Sequence, residues 1–151
     1  MPRRTMRVIA AGLMMGLSGL LMITIFIIST CGRSISSCLA SGDEMFLPAA
    51  IGAGLAGMMF FALFGGKGER GWVLAAIGAI LATAVGAMLA VLVLGLWGGE
   101  HILNDPGVVL FGPWFILMMF VEFPLTIFLW IGIMSAAHLV LRWYFINDTE
   151  L

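Results

Sequence analysis

Long uncharged hydrophobic runs, separated by short polar stretches, dominate the chain. No Asp, Glu, Lys or Arg occurs between Val8 and Ser29, between Phe46 and Phe64, or between Trp72 and Trp97. A fourth run from Pro113 to Leu141 contains one acid, Glu122, and one histidine, His138. Each run is close to or longer than the roughly 20 residues that an α-helix needs to cross about 30 Å of hydrocarbon. None alternates apolar and polar residues as a barrel strand does. Helices satisfy every backbone N–H and C=O within the segment, which lipid cannot do for them. The pattern predicts an all-α membrane protein: an antiparallel bundle of four transmembrane helices over about 8–30, 46–64, 72–97 and 113–144, forming one domain over 1–151.

The connections hold the polar residues. CGRSISSCLASGDE (31–44) follows the first run, GGKGERG (65–71) the second and GGEHILNDPGVVLFG (98–112) the third. A connection as short as 65–71 makes its flanking helices antiparallel neighbours. Glycine at these ends suits helix C-caps, and Pro113 suits a first helical turn, where its missing N–H removes no hydrogen bond. The fourth run would extend about 48 Å as one straight helix. That length requires tilt, bending or protrusion. Pro124 is the expected bend, because its ring clashes with the carbonyl of Phe120 and deletes a donor.

Basic residues set the expected orientation. Arg3, Arg4, Arg7, Lys67, Arg70 and Arg142 lie on one side of this topology, and only Arg33 lies on the other. The positive-inside asymmetry places both termini and GGKGERG in the cytoplasm, with a bacterial inner membrane as the expected setting. Trp72, Trp97, Trp114, Trp143 and Tyr144 then fall at the interfaces; Trp130 alone lies deep in a run. The first run is expected to remain in the protein, since it exceeds the 7–15 residues of a signal h-region.

Composition agrees with this placement. The 151 residues are 62% hydrophobic and 10% charged, with a mean hydropathy of +1.15 and a net charge of −1. Water-facing surfaces with so few charges aggregate. The scattered basic residues also leave no electrostatic footprint for nucleic acid. The expected partners are the lipid bilayer and either other membrane subunits or further copies of the chain.

Small residues recur every four positions on the third helix, as Gly78, Ala82, Gly86 and Ala90. Ala75, Ala79, Thr83 and Ala87 occupy the adjoining face. Ala49, Ala53 and Gly57 on the second helix, and Gly12 and Gly16 on the first, follow the same spacing. Such ladders let helix backbones approach closely. They serve packing within the bundle, and two small faces on one helix would also allow it to receive a second protein.

Few residues carry candidate chemistry. Glu122, about 12 Å below Trp114 by helical rise, is the sole ionisable group deep in a run, and such acids are protonated, paired or turned toward water. Thr24 and Thr83 are its candidate partners within the chain. It serves either a proton or cation site or a neutral hydrogen bond between helices. Cys31 and Cys38 share an outer loop, where a structural disulfide is expected over a redox pair. His101 and His138 fall on opposite sides, so they cannot share one metal or haem; a haem or pigment on a single axial histidine is the remaining alternative to having no cofactor. The 12 methionines include three Met-Met pairs, whose members point about 100° apart and suit flexible packing better than Cu(I) binding. No phosphate loop, zinc-binding helix or nucleophile elbow occurs.

These features lead to two expectations. One is an accessory or scaffold subunit of a larger membrane complex. The other is an oligomeric proton- or cation-coupled transporter or channel that uses Glu122.

Overall fold

The computed structural model describes residues 3–30, 43–97 and 106–147. These form five α-helices: α1 (Arg3–Thr30), α2 (Asp43–Met59), α3 (Gly68–Trp97), α4 (Phe111–Glu122) and α5 (Leu125–Asn147). Short 3-10 turns at Phe61–Leu63 and Pro106–Leu110 complete them. No strand occurs among the described residues. Three helical segments are long and apolar enough to cross a membrane: Thr5–Thr30, Gly68–Trp97 and Leu125–Trp143. Two shorter apolar helical segments, Glu44–Met59 and Gly107–Glu122, accompany them.

Helix limits depart from the hydrophobic runs for identifiable reasons. α2 begins at Asp43 rather than 46, taking in Asp43 and Glu44; acidic residues are favoured beside the unsatisfied N–H groups of a helix start. Its α-helical part ends at Met59 rather than 64, and the last turn tightens to 3-10 form. Gly65, at φ 80°, then supplies the left-handed backbone that stops a helix. α3 begins at Gly68, four residues before the apolar run, with Glu69 in its first turn.

The expected single helix over 113–144 is two helices. Pro124 breaks the helix instead of bending it. Phe123, with φ −127° and ψ 77°, lies outside the helical region, as the residue before a proline tends to. Its N–H still donates to Met119 O at 2.9 Å. Its carbonyl accepts from Thr126 N at 2.9 Å and from the Thr126 hydroxyl at 2.6 Å. The break is thus stitched locally, and Thr126 is buried.

Packing inverts the order of a water-soluble bundle. Leu13, Leu17 and Leu21 of α1, Val73 and Ile80 of α3, and Leu125 and Phe128 of α5 all face outward. The interior holds Ala11, Met15, Ala56, Ala75, Ala79, Ala82 and Met134, with Phe64 and Leu141 toward one end. Helices in lipid gain little by burying leucine, and associate where small residues permit close approach.

The contacts show antiparallel neighbours in chain order. Gly12 faces Met58, and Gly19 faces Ala49 across the α1–α2 seam. Across α2–α3, Gly52 faces Ala90 and Gly78 faces Leu63. A Cβ on Gly52 would lie 2.6 Å from the backbone nitrogen of Ala90. α4 packs on α3, with Gly112 against Ala87, and α5 returns to touch α1.

Candidate functional site

Three places carry the chemistry singled out in the sequence: the α4–α5 break, the bundle centre, and the end where α5 meets the α2–α3 turn. At the break, Glu122 is the last residue of α4, and its side chain is exposed. No hydrogen bond or ion pair joins it to another described residue. Val121 and Leu125, on either side, are each 75% exposed. The structure does not bring Thr24 or Thr83 to Glu122. The Thr24 hydroxyl donates to its own helix at Leu20 O, 2.7 Å away. Thr83 Oγ1 accepts from Trp130 Nε1 at 3.0 Å. Among the described residues, then, no side-chain bond fastens Glu122 to a neighbouring helix.

That last bond explains the one tryptophan set deep in a run. An indole N–H in an apolar interior needs an acceptor, and the hydroxyl of Thr83 provides one across the α3–α5 gap. Phe120 meets Trp130 edge-on at 5.9 Å between centroids. Beside them the helices frame a half-open cavity of about 290 Å³, with the exposed Met45, Phe111 and Phe115 on its rim. Side chains from all five helices line it, including Met22, Phe26, Val91, Phe115 and Met119. Its two hydroxyl-bearing residues, Ser18 and Thr83, are both hydrogen-bonded within the bundle; Ser18 Oγ donates to Met14 O at 2.9 Å.

Both small-residue faces of α3 turn toward the other helices of the chain. Gly78, Ala82 and Gly86 are buried, as are Ala75 and Ala79. Ala90 meets Gly52, and Gly86 approaches Ala53. This face is therefore an internal seam. A small pair that does look outward lies on α5, where Gly132 and Ala136 are exposed and a Cβ on Gly132 would meet nothing within 4 Å.

His138 is buried at 1% exposure. Its Nδ1 accepts from the N–H of Gly65 at 3.2 Å, and its ring lies 4.7 Å from that of Trp72. An imidazole whose Nδ1 accepts carries its hydrogen on Nε2, so in this arrangement Nε2 has no lone pair for haem or metal. Nε2 is itself buried without a hydrogen-bond partner. His101, Cys31 and Cys38 lie outside the described residues, and with them the expected disulfide. Among the described residues no group of three or more His, Cys, Asp or Glu side chains gathers for a metal. Of the Met-Met pairs, Met15 and Met119 are buried, while Met58, Met59 and Met118 are exposed.

No family model, curated protein or solved structure matches the chain.

Proposed function

We propose that the chain crosses a membrane four times with both termini in the cytoplasm, and acts as an accessory subunit that docks a partner helix beside α5. The fourth pass consists of α4 and α5 together. One observation carries the reading: Glu122 is exposed at the helix break and has no partner among the described residues. In hydrocarbon, a carboxyl group left this way is costly, and the cost falls when another molecule offers a donor or a cation. No lysine or arginine lies within the chain's own apolar runs, so a second copy could not supply the cation at that depth. A different transmembrane helix with a basic side chain could. The exposed Gly132 and Ala136 give such a helix a flat surface to approach.

A proton or cation pathway through the bundle draws no support from a half-open cavity whose lining is almost wholly apolar and carries no ionisable side chain.

Purification from native membranes in mild detergent tests this reading. A photo-crosslinker at Ala136 is expected to capture a transmembrane segment of an unrelated membrane protein. Glu122→Leu should reduce that adduct at least tenfold while the chain stays folded. Capture of the chain by itself alone, or an adduct unchanged in Glu122→Leu, would contradict it.

A further inference from the structure

We propose that the central cavity holds a single long hydrocarbon chain of a membrane lipid. The cavity runs along α3 from Ala82 to Leu94, about 18 Å by helical rise. A volume of about 290 Å³ spread over that length gives room for one extended alkyl or isoprenyl chain. The small side chains of α3 that permit the α2–α3 seam also leave a smooth wall here, with Ala82, Gly86 and Ala87 contributing to it.

The lining selects against water. A buried water needs two to four polar partners. Only Ser18 and Thr83 bring hydroxyls to the lining, and each already makes one hydrogen bond, Ser18 Oγ to Met14 O and Thr83 Oγ1 from the Trp130 indole. Dry apolar cavities instead accept apolar guests. An empty cavity would forfeit dispersion contacts along all of its walls. In a membrane the surrounding solvent is itself hydrocarbon, so a lipid chain enters without leaving water. Met15, Met22, Met119 and Met134 all line the space, and their unbranched thioethers can adjust to chains of differing length and unsaturation. With no charged side chain in its lining, the cavity recognises the chain and not the headgroup, which would remain toward the Met45 and Phe111 end.

The test uses the full chain in lipid nanodiscs with alkyl chains that carry a terminal diazirine. One arm supplies the probe as a free fatty acid, the other as a phospholipid bearing the same chain. Adducts are mapped by peptide mass spectrometry. They are expected on Val91, Met22 or Met119, in competition with the unlabelled lipid. Val91→Trp, which fills the space, should lower these adducts at least tenfold and leave those on lipid-facing Phe128 unchanged. Ile116→Trp serves if Val91→Trp does not fold. Labelling in the phospholipid arm alone identifies a phospholipid chain, and labelling in the free-acid arm alone identifies a fatty acid. Equal labelling in both identifies recognition of the chain only. Adducts confined to outward faces such as Leu125 and Phe128 in both arms would overturn the proposal. Cavity adducts undiminished in a folded tryptophan variant would do the same. The wild-type map alone decides the matter if neither variant folds.

Discussion

The imidazole of His138 and the backbone N–H of Gly65 are joined by a hydrogen bond of 3.2 Å, which ties α5 to the turn between α2 and α3. Gly65 has left the helical region at φ 80°, so its N–H faces out of the regular hydrogen-bond ladder. The buried His138 ring answers that donor and packs against Trp72. One side chain thus ties α5 both to α3 and to the turn that precedes it, far away in sequence.

Replacing His138 with Phe keeps a planar ring near Trp72 and removes the acceptor. The Gly65 N–H is then left unsatisfied, at a cost of about 1–3 kcal/mol. A thermal unfolding scan in detergent should show a lower Tm for His138→Phe, with partial recovery in His138→Gln, whose amide oxygen can accept. Equal stability of His138→Phe and wild type would show that the bond contributes nothing.

Glycine positions separate the inner seams from the outer surface. Gly52→Ala would place a methyl group against the backbone of Ala90, and overpacking of this kind costs typically about 1–3 kcal/mol. Gly132→Ala meets open space and gains about 0.5–1 kcal/mol by helix preference. Opposite shifts in Tm for the two variants are the expected outcome in a detergent-solubilised monomer. A loss of stability for Gly132→Ala of the size seen for Gly52→Ala would contradict the assignment of inner and outer faces.

The indole–hydroxyl bond between Trp130 and Thr83 is measurable by a double-mutant cycle with Trp130→Phe and Thr83→Val. Hydrogen bonds between helices in membranes average about 0.6 kcal/mol in such cycles, so a coupling of that order is expected. Strict additivity of the two changes would show that the pair is geometrically close without being energetically coupled.

The sequence carried the helical class, the antiparallel neighbours and the close seams, because all three depend on local pattern. Length and lack of charge define a helix in lipid, and the four-residue spacing of Gly78, Ala82 and Gly86 defines a small face. What lay beyond it depended on rotation and distance. Nothing local tells whether Glu122 turns inward, and Thr83 was the right hydroxyl for the wrong partner. Trp130 held the usable signal, since a lone indole N–H deep in an apolar run requires an acceptor. His138 offered less: its partner is a backbone group 73 positions away, which no periodicity links to it. The split at Pro124 was half legible. The proline indicated disruption, while full separation into α4 and α5 also needed Phe123 to leave the helical region and Thr126 to take over its carbonyl.

Cysteine accessibility in whole cells tests the four-pass arrangement most directly, using a background in which Cys31 and Cys38 are changed to serine. Single cysteines at Lys67, Glu100 and Val121 are challenged with an impermeant maleimide. Labelling at Glu100 in intact cells, at Lys67 only after permeabilisation and at Val121 in neither condition is the predicted result. Rapid labelling at Val121 would place the α4–α5 break outside the hydrocarbon and contradict the account.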